Sequence, residues 1–248
     1  MIELKTSYTF SQIPFITNEA LDSYAEEIVA DFSPESLSVP SPVDVETLVK
    51  EYIGLKIQYE NISHDKNFQA ITLFNDGYLQ VINEETGLIE LMEFAAGTVV
   101  IDKSLTEPRY LARLRFTMMH EGAHWLLHRK AFAANNPFGQ VGIYENQSLA
   151  AKEGRIDYKR RSKIRNDMDR IEHQADFLAA SILMPRPAMM MVFESFLDKY
   201  GIEPRRIIRW ISHTNDYLAA HLPIYAEGVF NVSRRAAKIR LEKLGVIV

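Results

Sequence analysis

The chain of 248 residues contains no cysteine. That absence removes a disulfide framework, a thiol nucleophile, a cysteine-held iron–sulfur cluster and every thiolate zinc site. A transition metal in this protein has only His, Asp and Glu to hold it. Long apolar runs are missing too. The longest, AMMMVF at 188–193, falls far short of the roughly 18 residues that a membrane span needs. The opening residues MIELKTSYTFSQIPF lack the continuous apolar stretch of a signal peptide, so a cytoplasmic location is the expectation. A strong excess of one charge is likewise absent: 28 basic against 33 acidic side chains give a net −5. This argues against a protein coated in nucleic acid, but it leaves room for local patches.

What is present is a helical signal at each end with a strand-rich stretch between. In ITNEALDSYAEEIVADF, Thr17 stands at a cap position, Ile16 and Leu21 form a hydrophobic staple, and Ala20, Leu21, Tyr24, Ile28 and Phe32 make a helical stripe. The logic repeats at VETLVKEYI, with Asp44 as cap, Val43 and Leu48 as staple and Gly54 as terminator. From 55 to 101 the period changes to short runs rich in Val, Ile, Leu and aromatics (LKIQYENI, FQAITLF, YLQVI, LIELMEF, TVVID) with Asn-Asp-Gly and Thr-Gly turns. These predict a small, mostly antiparallel sheet. Helices are then predicted over 107–129, 169–183, 187–200, 204–220 and 233–244, the last opened by Ser233 and closed by Gly245. The expected class is α+β. The expected divisions are an N-terminal helix and linker at 1–42, an α+β domain at 43–200 and a C-terminal helical module at 201–248.

The small net charge is an average over uneven regions. Residues 1–60 carry 11 acidic and 3 basic side chains, residues 152–170 carry 8 basic and 4 acidic, and residues 231–248 carry 5 basic and 1 acidic. The run KRRSKIR at 159–165 suits solvent, an acidic protein face or nucleic acid. In VSRRAAKIRLEKLG, Arg234, Arg235, Lys238 and Arg240 are placed to meet phosphates, whereas Ala236, Ala237, Ile239, Leu241 and Leu244 are placed to pack. Docking or structure is the first reading of that segment, and DNA binding the second.

The sharpest motif is His120-Glu121-Gly122-Ala123-His124 within RFTMMHEGAHWLLH. Residues four apart on a helix stand one turn above each other, so two imidazoles can converge on one ion. Glu121 is rotated by about 100° from His120, which lets it reach a water on that ion without binding the ion itself. Such a glutamate accepts the proton of an attacking water and returns it to a leaving amine. A zinc ion also needs a third protein ligand, and Glu172 in DMDRIEHQADFLAASILMP is the candidate. Ile171, Ala175, Leu178, Ala179 and Ile182 form an apolar face that would turn this helix inward. Asp176, one turn further on, is placed to accept a hydrogen bond from the far nitrogen of a ligating histidine. Two rivals stay open: Glu172 as the third residue of a capping box begun by Asp169, and His173 as ligand in its place. His128 extends the histidine row as a group behind the ligands, a substrate contact or a core side chain. Tyr144 and Tyr158, in the connection between the two helices, could polarise a carbonyl.

With these residues in view, the chain resembles the ImmA/IrrE family of bacterial and phage zinc metallopeptidases. The match runs through GTVVIDKSLT, RFTMMHEGAHWLLH, IEHQADFLAASILMP and FNVSRRAAKIRLEKLGVI, and extends more weakly to VDVETLVKEYIGLKIQY. The resemblance implies a gluzincin-like endopeptidase with one zinc ion, ligands His120, His124 and Glu172, and Glu121 as catalytic base. It implies a small sheet against a helical zincin-like core, followed by a module resembling a helix-turn-helix. The substrate it implies is a protein, a helix-turn-helix repressor of a mobile element or stress response; composition and the lack of long apolar runs make nucleic acid the lesser expectation as partner and a membrane none. Two departures stand out: Gly122-Ala123 where the family usually has a hydrophobic residue and then Gly, and a longer connection between His124 and Glu172. A non-catalytic, metal-containing regulatory or antitoxin-like binding module is the alternative, with direct DNA-binding regulation behind it.

Overall fold

The computed structural model describes residues 2, 4, 6–9, 11–62, 69–132, 166–201 and 212–248. The fold is mixed α+β, with a small sheet packed against helices and a C-terminal helical region. The chain forms two compact units, and they do not follow the divisions drawn from composition. One holds residues 3–18 and 45–179; the other holds 1–2, 19–44 and 180–248.

The first unit opens with the short antiparallel pair β1 (Ser7–Tyr8) and β2 (Pro14–Phe15). After Asp44 comes a brief helix α2 (Val45–Thr47) that widens into a π-helical turn at Leu48–Tyr52. There the Ile53 N–H bonds the Leu48 carbonyl at 2.9 Å, one residue further back than in an α-helix. Gly54 ends the segment at φ +83°, a conformation that a side chain would strain. Strands β3 (Lys56–Glu60), β4 (Ala70–Leu73), β5 (Gly77–Ile82), β6 (Ile89–Phe94) and β7 (Thr98–Asp102) fall where the five short runs placed them.

Pairing between strands is antiparallel for β4–β7 and β5–β6, but β3 runs parallel to β7, with Ile57 opposite Val99 and Tyr59 opposite Ile101. The three-stranded sheet, in order β3-β7-β4, is therefore mixed. Periodicity along single strands carries no information on this. The parallel pair is pinned at its far end by Asp102, which accepts from the Ile62 N–H (3.2 Å) and the Ser104 N–H (3.0 Å). As the central strand, β7 is buried at every position, as its apolar run VVI requires. Ile62, Ile71, Leu73, Leu79, Val81, Phe94 and Val100 form one apolar cluster on this sheet and hairpin.

Helix α3 (Leu111–His128) lies against β4, β7 and the π-helical turn. Gly122 is what permits the last of these approaches. A Cβ at that position would meet Met119 Cε at 3.1 Å, Ile53 Cδ1 at 3.2 Å and Val49 Cγ2 at 3.3 Å. The Gly122-Ala123 departure therefore has a local reason: the smallest residue stands where helix and turn touch. Helix α4 (Asp167–Leu183) completes the unit. All five residues of its expected apolar face are buried, and Ile171 packs with Ile13, Ala131 and Phe132 just beyond the end of α3.

The second unit contains α1 (Asn18–Phe32), a 3-10 turn at Pro34–Leu37, the last turn of α4, α5 (Arg186–Tyr200), α6 (His213–Phe230) and α7 (Arg234–Lys243). Leu21, Ile28, Leu183, Phe193, Phe230 and Leu241 are among its fully buried side chains. The helix expected over 204–220 differs from what is found. Residues 202–211 lie outside the described set; from Ser212, whose hydroxyl accepts from the Asn215 N–H at 3.1 Å, α6 continues past Pro223 to Phe230. Pro223 reads as a terminator in sequence, yet it is buried inside the helix, where packing offsets the lost N–H donor. Asn231, at φ +53°, makes the left-handed turn into the Ser233 cap of α7.

Arg240 corrects the charge reading of α7. Far from meeting phosphates, it is 2% exposed, with Nη2 2.7 Å from Asp22 Oδ1 and Nε donating to the Met184 carbonyl at 3.1 Å. The Ser181 hydroxyl donates to the same Asp22 oxygen at 2.6 Å. Arg240 belongs to the core of this unit. Among the described residues, no single helix is long and apolar enough to cross a membrane.

Candidate metal centre

Two helices of the first unit supply the site. On α3, His120 and His124 stand one turn apart, their Nε2 atoms separated by 2.9 Å and their rings at 82°. Glu172 of α4 faces both: Oε2 is 3.6 Å from His120 Nε2, and Oε1 is 3.6 Å from His124 Nε2. One ligand atom from each of the three lies within 4.8 Å of the others. Zinc–nitrogen bonds of about 2.0–2.1 Å at a tetrahedral angle set two nitrogens roughly 3.3 Å apart, so shifts of a few tenths of an ångström bring these groups onto one ion. A set of two imidazoles and one carboxylate suits zinc and other borderline divalent ions, and leaves a fourth position open. A three-residue site capable of coordinating a metal ion is thus present.

The groups behind the cluster are ordered. Asp176 Oδ1 lies 3.0 Å from His120 Nδ1, which orients that ring and leaves its Nε2 facing the cluster. His124 and His128 are both 0% exposed. His128 does not join the cluster; its Nδ1 lies 3.1 Å from His124 Nδ1, and its Nε2 lies 3.0 Å from Gln174 Oε1. Gln174 in turn donates from Nε2 to the Pro14 carbonyl at 2.8 Å.

The two rivals to Glu172 as ligand resolve differently. His173 points elsewhere and bonds Asn18 Oδ1 at 2.9 Å. The helix begins at Asp167, and the side chain of Asn166 accepts from the Asp169 N–H at 2.8 Å, so Asn166 supplies the cap. Glu172 therefore lies beyond the N3 position of the capping-box alternative. Tyr144, Tyr158 and the KRRSKIR run at 159–165 lie outside the described residues.

Glu121 is 2% exposed and is held from the strand side, where the Thr72 hydroxyl of β4 donates to Oε2 at 2.7 Å. Burial pushes this carboxyl above its ordinary range, with the His120 charge and the Thr72 bond partly holding it down. That is the direction a general base near neutrality requires. For His120, burial alone would favour the neutral ring, but hydrogen bonds and charge from Asp176 and Glu172 raise its pKa well above the usual imidazole value. Burial, then the charges of His120 and His128, drive His124 well below it. Burial also lowers His128 to about 4, against the opposing bond to Gln174.

Thr72 and Gln174 are the two site residues that sequence reasoning missed. Thr72 is the one hydroxyl inside the apolar run AITL, and a lone polar side chain at a buried strand position was the available signal. Gln174 gave a weaker sign, an uncharged polar residue one position from the apolar stripe of α4. No protein-family model matches the chain, and no curated protein matches it. The geometry alone gives an α+β protein with a three-residue site able to coordinate a metal ion.

Proposed function

We propose that the chain is a zinc-dependent hydrolase that cleaves a peptide bond in a regulatory protein, with a helix-turn-helix repressor as the intended substrate. The observation carrying this reading is the position of Glu121: next in sequence to His120, buried, raised in pKa and fixed by Thr72 beside a three-ligand cluster. His120, His124 and Glu172 would hold the ion, which when bound supplies Lewis acidity toward water and a carbonyl oxygen. Glu121 accepts the proton of the attacking water, keeps it in a low-dielectric setting and delivers it to the departing amine. Asp176 holds the His120 ring in place during that exchange. The repressor substrate and the cytoplasmic setting rest on the resemblance to ImmA/IrrE metallopeptidases and on the sequence, not on the site.

The same burial and strand bond of Glu121 also favour a second reading, a metal-containing regulatory or antitoxin-like module that binds protein without turnover. Glu121→Gln separates the two. Zinc content by metal analysis and cleavage of a repressor encoded beside this chain are measured for both proteins. Retained zinc with cleavage lost by about 10²-fold or more supports the hydrolase. Cleavage by neither protein, with zinc bound by both, supports the binding module.

A further inference from the structure

The hydrogen-bond chain behind His124 has a direction, and the direction can be worked out atom by atom. The Pro14 carbonyl can only accept, so the Gln174 atom 2.8 Å from it must be the amide nitrogen. Flipping that amide would set two acceptors against each other. Gln174 Oε1 is therefore the atom presented to His128 Nε2 at 3.0 Å, and His128 must donate there. A neutral His128 with its proton on Nε2 has a bare Nδ1. That atom faces His124 Nδ1 at 3.1 Å, so His124 is the donor across the contact. The proton of His124 is then on Nδ1, and its lone pair is on Nε2, the atom facing His120 and Glu172. All of this takes place out of water: His124 and His128 are 0% exposed and Gln174 is 2% exposed.

The structure assigns to Gln174, acting through His128, the role of a positioning residue that fixes the tautomer of His124 and so makes Nε2 available to a divalent cation. The inference rests on the metal-binding reading of the cluster. The two histidines are served by different devices. His120 is oriented by the carboxylate of Asp176, whereas His124 is oriented by an uncharged relay that starts at a backbone carbonyl on β2. Without an acceptor at position 174, His128 is free to carry its proton on Nδ1 and donate toward His124. His124 must then accept at Nδ1 and place its own proton on Nε2, where the ion belongs. Loss of an outer hydrogen-bond partner of this kind costs roughly 10–100-fold in metal affinity.

The test uses the full chain with and without added zinc. Side-chain ¹⁵N–¹H correlation spectra of the wild type report which nitrogen of each histidine carries a proton, and chelator competition reports the zinc affinity of wild type and Gln174→Leu. The expected spectra show His124 protonated at Nδ1 and His128 at Nε2. Gln174→Leu is expected to weaken zinc binding by about 10–100-fold. A wild-type His128 protonated at Nδ1, or a Gln174→Leu protein that folds and binds zinc as wild type does, overturns the relay. If Gln174→Leu does not fold, the wild-type spectra decide. A wild type that takes up no zinc overturns the metal reading instead, and its spectra still show whether the relay runs as derived.

Discussion

Replacing Thr72 by valine removes a single hydroxyl from the site while keeping its shape, and the size of the effect follows from the geometry. Thr72 and Glu121 are 3% and 2% exposed, and the bond between them is 2.7 Å. A hydrogen bond to an ionised group contributes about 1.5–3 kcal/mol, and a neutral one about 1 kcal/mol. The penalty of Thr72→Val therefore depends on whether Glu121 is charged. Burial raises the pKa of this carboxyl in the folded chain above its unfolded value. Its proton-linked contribution to stability is then fully present below the ordinary carboxyl range and is lost as pH rises through the folded value. Valine removes one of the interactions holding that value down, so it shifts the loss to higher pH and deepens it. Urea unfolding in the presence of a chelator removes the linkage to zinc. Under those conditions Thr72→Val should cost about 1 kcal/mol at a pH below the titration of the folded carboxyl and about 2–3 kcal/mol at a pH above it. In a Glu121→Gln background the pH dependence of that cost should vanish. An equal penalty at both pH values in the wild-type background would show that the hydroxyl does not hold a titrating carboxylate.

Three further outcomes follow from the packing and the charges. Gly122→Leu, which restores a hydrophobic residue at that point of the motif, should destabilise the chain by about 1–3 kcal/mol or more, because Met119, Ile53 and Val49 already close around the missing Cβ; a thermal midpoint at or above the wild-type value would refute the close approach. Asp22→Ala should cost about 3–5 kcal/mol by leaving the Arg240 guanidinium buried without its carboxylate, and a loss below about 1 kcal/mol in denaturant titrations would place Arg240 outside the core. The pKa of His120 is raised, so a proton competes with a cation for the same nitrogen. Zinc affinity by chelator competition should therefore climb with pH through the range above the ordinary imidazole value, with protons released as the ion binds, and a flat profile there would remove His120 from the ligand set.

The metal cluster was legible in the sequence because its parts obey short-range rules. His120 and His124 are one helical turn apart, and the apolar face of α4 determines which way Glu172 looks. Strand positions were legible for the same reason, since each run from LKIQYENI to TVVID is bounded by its own turn chemistry. The parallel pairing of β3 with β7 was not, because it joins residues that are neighbours only in space and leaves no mark on either run. The passage of α6 through Pro223 was hidden by a rule that is right for isolated helices and is overridden when the proline is buried. Thr72 and Gln174 were hidden for a third reason. Each acts through a partner dozens of positions away (Glu121 and His128), and a hydrogen bond of that span has no sequence period.

Arg240 shows why counting charges along a chain misjudges partners. Five cations on the last helix (Arg234, Arg235, Lys238, Arg240 and Lys243) suggest a phosphate-binding face, and each phosphate neutralised would add about 0.9 to the salt dependence of duplex binding. One of the five is internal and paired with Asp22, and another, Arg234, lies 3.6 Å from Glu227. Arg235, Lys238 and Lys243 are the remaining exposed members of that set. Three phosphate contacts give a slope of about 2.7, below that of the 6–10 contacts behind a steep dependence, a span of roughly two- to three-fold in contact number. The basic C-terminal segment therefore presents fewer surface cations than its charge count suggests, and its most buried cation is better understood as the electrostatic tie between α1 and α7 within the second unit.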